Sequence, residues 1–170
     1  TYEIDAHWAL YCENYLEGFH ISYVHKGLCS DIQNQSYETT LLDHAVLQVA
    51  KSSNKENSLG GTGKINNIPL DEIYALYFWL FPNIMLNFYK WGISVNIIEP
   101  LGKEKTRIRF ISLPIKGNKQ TSGNNNSVDH IELEDQKIIL NVQKGIKSKF
   151  YDRGRYSPKR EIGVHHFHLL

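Results

Sequence analysis

Cysteine is scarce in this chain, with only Cys12 and Cys29 in 170 residues. A disulfide scaffold needs a denser set, and no signal-peptide pattern follows Thr1, so a reduced, cytoplasmic protein is expected. Neither sign of charge is in excess: nineteen basic against eighteen acidic residues leave a net +1. That balance gives no electrostatic reason for a nucleic-acid or membrane partner. Long apolar runs are missing too. The most apolar stretch, from Ile73 to Tyr89, is interrupted by Pro82, Asn83 and Asn87, and reads as core elements joined by a turn rather than a membrane span. Internal repeats are absent. A phosphate loop is excluded as well. Around Gly60-Gly61-Thr62-Gly63-Lys64, Ser58 stands where the first glycine belongs and Ile65 where Ser or Thr is required.

Hydrophobic residues make up 41% and aromatics 12%, which predicts a packed globule, one domain over residues 1–170. Trp8, Tyr11, Cys12, Tyr15, Leu16 and Phe19 recur at helical spacing, so a helix is expected from Trp8 to Phe19. Residues 37–50 read as extended and 51–67 as a polar surface loop or hairpin connection. Leu70 to Trp79 fits helix and strand equally. Ile84 to Tyr89, Ile93 to Glu99 and Thr106 to Leu113 read as three strands of an antiparallel meander. Gly117, Gly123 and Asn124-Asn125-Asn126 predict a loop over 116–127. From His130 to Tyr151 the pattern turns helical. Helix, strands and a long late helix argue for an α+β fold. The chain opens inside a helical pattern and closes on Phe167, Leu169 and Leu170, so a domain of a longer polypeptide is expected.

The chemistry-bearing segment runs from Glu13 to His25. It holds His20 and His25, five residues apart, with Glu17 three residues before the first. Five helical residues rotate by about 500°, which leaves the imidazoles about 140° apart. For both to meet one ion, the helix must end or widen between them. The HExxH zinc motif is excluded by its i, i+4 spacing. Two histidines and one carboxylate make the facial triad of non-haem iron(II). Glu17 on a continuous helix would point back along it. A carboxylate from the late helix is the better candidate, and Glu132, Glu134 and Asp135 cluster at its expected start, where the helix dipole also favours acidic residues with no metal involved.

The segment HWALYCENYLEGFHISYVHKGL resembles the iron site of Rieske-type oxygenase α-subunits, the ring-hydroxylating and choline-monooxygenase-like enzymes. The family order of Asn, acidic residue, His, four residues and His falls here on Asn14, Glu17, His20 and His25. Glu134-Asp135 followed by Gln143-Lys144-Gly145 resembles the segment of the third ligand, and YFWLFPNIMLNFY and GRYSPKREIGVHHFH are similar to the family as well. The resemblance implies a helix-grip fold, a curved antiparallel sheet around a long C-terminal helix. It implies mononuclear Fe(II) on His20, His25 and Asp135. It further implies Glu17, where the family more often has Asp, as a bridge to a Rieske-cluster histidine of a neighbouring subunit, with Asn14 beside the iron.

Such an enzyme adds oxygen from O2 to an organic molecule by mono- or dioxygenation. Its usual assembly is a homotrimer supplied with electrons by a reductase or ferredoxin. A Rieske [2Fe–2S] cluster needs Cys-x-His and Cys-x-x-His. Neither Cys12 nor Cys29 begins such a pair, so the N-terminal Rieske domain is not among these residues, and this chain alone is expected to turn over little. Tyr74, Tyr77, Phe78 and Phe81 are candidates for a pocket suited to an aromatic ring or a quaternary ammonium group. Two rival readings are a non-enzymatic helix-grip binder of an apolar ligand with a degenerate metal site, and a zinc hydrolase. His165, His166 and His168 read as packing or interface residues rather than a second metal site. Lys116, Lys119, Lys144, Lys147 and Lys149 read as solvated surface.

Overall fold

The computed structural model describes residues 1–25, 32–116 and 121–170, without the side chains of 33–37 and 121–129. The expectations for Cys29 and Lys119 therefore lie outside the described residues. The fold is α+β. Its sheet has seven strands in the order β1-β9-β8-β7-β6-β3-β2, every neighbouring pair antiparallel. The strands are β1 (Tyr2–Ile4), β2 (Ile32–Leu42), β3 (Ala45–Ser52), β6 (Ile73–Leu80), β7 (Ile84–Tyr89), β8 (Gly92–Gly102) and β9 (Lys105–Pro114). A hairpin of β4 (Lys64–Ile65) and β5 (Ile68–Pro69) forms a second, two-stranded sheet.

The three-strand meander appears where alternation predicts it, and the ambiguous segment after Leu70 is strand β6. Alternating burial settles its two sides. Val46, Trp79, Met85, Ile98 and Ile108 belong to the main core, whereas Leu47, Val49, Leu76 and Ile73 belong to a second cluster that Ile68 of β5 helps to cover. The stretch 37–50 is two strands turning at Asp43-His44. Gly92 opens β8 at φ 149°, where an added Cβ would lie 2.3 Å from the Leu113 carbonyl oxygen. Glycine is therefore required for β8 to pair with β9 there.

Among the described residues four α-helices accompany the sheet: α1 (Trp8–Tyr15), α2 (Ile21–Val24), α3 (Thr121–Ile146) and α4 (Ile162–Leu169). Three differ from expectation. The first helix stops at Tyr15, not Phe19, because Leu16 takes a C-cap geometry and the chain restarts as a single turn after His20. The long late helix runs from Thr121 to Ile146 rather than from His130 to Tyr151, so the expected loop over 116–127 is helical from Thr121. Low-propensity Ser122, Gly123 and the asparagines hide that start from a local reading. Helix α4 was not anticipated. Its Val164 and Phe167 enter the main core, and Gly163 lets it approach closely, since a Cβ there would stand 2.7 Å from the Leu16 carbonyl oxygen.

On its inner side the sheet carries α1, α3 and α4, with Tyr11, Cys12, Leu16 and Ile139 all buried against it. The Cys12 thiol is pushed up to about 12 by burial and stays protonated. Among the described residues no helix is long and apolar enough to cross a membrane.

Candidate metal centre

The break after α1 creates the site. A continuous helix would splay His20 and His25 apart. Here they flank the single turn of α2, His20 as its N-cap and His25 as its C-cap, with His25 leaving the helix at φ −100°, ψ 74°. The rings meet edge to face, centroids 5.1 Å apart and planes 80° apart. Asp135 of α3 comes between them. Its Oδ1 lies 3.0 Å from His25 Nε2 and 3.6 Å from His20 Nε2. One ligand atom from each of the three lies within 4.8 Å of the other two.

A second layer of carboxylates faces the other ring nitrogens. Glu134 Oε2 is 2.8 Å from His25 Nδ1, and Glu17 Oε1 bonds His20 Nδ1. With its Oε2, Glu17 accepts the backbone N–H of Phe19, and that of His20 at 3.0 Å. The expectation that Glu17 points back along the helix is thus corrected, because the helix has ended two residues earlier. Asn14 Nδ2 donates to Asp135 Oδ1 at 2.8 Å.

The electrostatics follow from this crowding. Burial pulls the His25 imidazole down, but hydrogen bonds and charge from Asp135 and Glu134 outweigh it, and the net shift is upward. A divalent cation would relieve that accumulation of negative charge. The donors fit such an ion: right-angled donors about 2.1 Å from a metal stand about 3 Å apart. The outward nitrogens carry the carboxylate partners that fix tautomer and ring orientation at metal sites.

Glu132, Glu134 and Asp135 are not at a helix start, since α3 begins at Thr121; the helix-dipole explanation for them is withdrawn. Glu132 accepts the Tyr11 hydroxyl at 2.5 Å, and Tyr11 pairs with the Tyr2 hydroxyl at 2.8 Å. The sequence offers Glu132 and Glu134 as carboxylate candidates beside Asp135, but not these separate contacts. The available signal is a repeated offset: Tyr11 to Glu132 and Asn14 to Asp135 both span 121 residues, so two i, i+3 pairs dock α1 along α3.

The pocket candidates divide. Tyr77 faces the inner side with Tyr15, Tyr74 and Tyr89. It meets Tyr15 at 6.2 Å and Tyr89 at 6.0 Å, and Tyr89 stacks on Trp91 at 5.3 Å. Phe78 points to the opposite side, packed edge-on against Phe88, and Phe81 is exposed. Strand alternation separates Phe78, and the turn removes Phe81. The three late histidines do not converge. His166 Nε2 reaches the Leu42 carbonyl at 2.8 Å, while His168 Nε2 meets Glu13 at 2.7 Å and its ring stacks on Tyr156. Of the candidate lysines, the described ones are exposed.

Comparison with known proteins gives a consistent pattern. The family profile described as "Ring hydroxylating alpha subunit (catalytic domain)" matches residues 1–169. Choline monooxygenase of Arabidopsis thaliana, described as chloroplastic, is 32% identical over 176 residues, covering 99% of this chain and 39% of that protein. The carnitine monooxygenase oxygenase subunit of Escherichia coli is 27% identical over 182 residues, covering 100% and 47%. A crystal structure of the quaternary ammonium Rieske monooxygenase CntA superposes with a TM-score of 0.78 at 21% identity, covering 98% of this chain and 46% of that one. The chain thus spans less than half the length of these relatives.

Proposed function

The chain belongs to the family of ring-hydroxylating α-subunit catalytic domains, and from that membership we propose that it is the iron-binding part of a Rieske-type non-haem oxygenase acting on a small quaternary-ammonium compound. The observation that carries the reading is the double engagement of each imidazole. His20 and His25 both turn one nitrogen to a carboxylate and the other toward Asp135. An ordinary pair of packed histidines needs no such matched arrangement.

In this reading His20, His25 and Asp135 hold Fe(II). Three protein donors leave coordination positions open, where the iron would supply oxygen activation with electrons from a Rieske cluster carried outside these residues. Monooxygenation balances when a substrate C–H, O2, two electrons and two protons give C–OH and water. The chain's own residues prepare the place. Glu17 and Glu134 fix the imidazoles, Asn14 steadies Asp135, and Glu17 forms the bridge toward a neighbouring subunit's cluster. The tyrosines around Tyr77 offer ring faces to an ammonium group, which cannot hydrogen-bond and is held by cation–π attraction.

The sheet wrapped on α3 is taken as a helix grip, supported by Ile139 of α3 in the same core as Trp79 and Ile108. The whole enzyme is taken as a homotrimer fed by a reductase or ferredoxin, with residues 1–170 as its catalytic domain. The low cysteine content favours a reducing compartment, cytoplasm or chloroplast stroma.

The test is anaerobic reconstitution of the full-length protein with Fe(II), followed by metal analysis and reductant-dependent oxidation of choline and carnitine. About one mononuclear iron per chain, beyond the cluster iron, and hydroxylated or cleaved product are expected. Mononuclear iron near zero favours the non-enzymatic binder. Retained zinc with reductant-independent hydrolysis favours the hydrolase.

A further inference from the structure

We propose that Glu132 is the counter-charge by which this site selects a cation over a neutral molecule of the same shape; the proposal rests on the quaternary-ammonium reading above. Glu132 stands one turn before Asp135 on the same face of α3. Its direct partners among the described residues are both neutral: the Tyr11 hydroxyl at 2.5 Å and Asn96 Nδ2 at 3.4 Å. From Asn96 a polar seam continues across the inner face of the sheet. Ser94 Oγ meets Asn96 Oδ1 at 3.3 Å, Asn87 Nδ2 reaches the Ser94 carbonyl at 3.4 Å, and the Tyr15 hydroxyl donates to Asn87 Oδ1 at 2.9 Å. Tyr15 lies edge-on to Tyr77. The seam therefore links the carboxylate to the aromatic cluster.

A second observation lies in the same layer. Gln48, paired with Tyr77 across β3 and β6, is 2% exposed; its Nε2 donates to the Tyr15 carbonyl at 2.7 Å, and its Oε1 finds no donor among the described residues. A buried acceptor without a donor is costly. It suits a ligand that brings a hydroxyl beside its cation.

Among the described residues the titratable groups that interact with Glu132 are Tyr11 and Tyr15 of α1, Tyr2 of β1, Asp135 on its own helix and His25 after α2. Burial raises the carboxyl, the Tyr11 and Asn96 bonds oppose that, and the charge of Asp135 adds to it; the group sits at about 7. His25 also opposes the rise, and both its nitrogens already face Glu134 and Asp135. A carboxylate held inside by neutral donors is stabilised when a ligand cation arrives, so ligand binding drives it to ionise.

Calorimetry on the full-length, iron-loaded protein tests this with choline and with 3,3-dimethylbutan-1-ol, its neutral carbon isostere. Wild type is expected to prefer choline. Glu132→Gln should weaken choline binding by about tenfold or more while changing the isostere by less than about threefold. Tyr11→Phe removes a bond but keeps the charge, and should leave the choline-to-isostere preference intact. An unchanged preference in Glu132→Gln overturns the assignment of Glu132 with the substrate reading intact. Failure of wild type to bind choline, carnitine or tetramethylammonium overturns the substrate reading, and this proposal with it.

Discussion

Asn14 donates its side-chain N–H to the Asp135 carboxylate at 2.8 Å, so α1 holds the carboxylate of α3 that faces both imidazoles. The bond uses the oxygen that also faces both imidazoles. Loss of the amide frees Asp135 to rotate away. We expect Asn14→Ala to weaken Fe(II) affinity by about tenfold or more, within the range seen when outer-layer partners of metal ligands are removed. Chelator competition on the purified protein measures it. The thermal midpoint of the metal-free protein should move little, because Asn14 lies outside the buried core.

Glu132 should also declare itself in stability. Its carboxyl is raised from 4.5 to about 7, chiefly by burial. Between those values the folded protein holds a proton that the unfolded chain has released. Stability due to this group therefore falls as pH rises through the window and levels off above it. Glu132→Gln removes the titration. Metal-free melts should show the variant gaining on wild type as pH rises from about 5 to about 8. A constant difference across that range would mean that the carboxyl ionises normally. The pH-dependent loss fits a group kept for binding rather than for folding.

The histidine half of the site was legible because both residues lie on one short segment, where spacing alone showed that a regular helix could not bring them together. The structure resolves that conflict with a break at Leu16 and a single turn between His20 and His25. Asp135 was not legible from spacing. More than a hundred residues separate it from the pair, and only the resemblance pointed to it. Glu132 and Glu134 were obscured by a misplaced helix start, which made mid-helix residues look like first-turn charges. The sheet was readable wherever one side is buried and the other is not, as in β7 and β8. Alternation also held the information that Tyr77 and Phe78 face opposite ways. Helix α4 escaped notice because its two core residues, Val164 and Phe167, are set among histidines.

Gly163 fixes how closely α4 packs behind the end of α1. A methyl group at this position would meet the Leu16 carbonyl oxygen at 2.7 Å and Val46 at 3.3 Å. The first contact is with backbone and cannot be relieved by a rotamer change. Gly163→Ala is expected to cost about 1–3 kcal/mol, the usual range for overpacking. Urea denaturation of the metal-free protein should show a lower midpoint at unchanged slope. An unchanged midpoint would show that α4 shifts freely and is no fixed support for the residues before Glu17.

Substitution of Glu17 separates the two roles proposed for it, supporting a metal ligand and passing electrons. Its carboxylate binds His20 through one oxygen and caps the backbone of Phe19 and His20 through the other. Gln keeps an acceptor for one of these roles and loses the negative charge. Glu17→Gln should therefore still bind Fe(II) when the metal is in excess, with affinity lowered by about tenfold. If Glu17 also bridges to a neighbouring subunit's cluster, electron transfer should suffer much more than occupancy. In the pre-reduced full-length enzyme, single-turnover oxidation of the Rieske cluster, followed by its visible absorbance, should slow by well over tenfold at full iron occupancy. Glu17→Asp, the residue more usual in the family, should restore a large part of that rate. Should cluster oxidation keep its wild-type rate in Glu17→Gln with iron fully loaded, the bridging role is lost. Glu17 would then be a support for His20 alone.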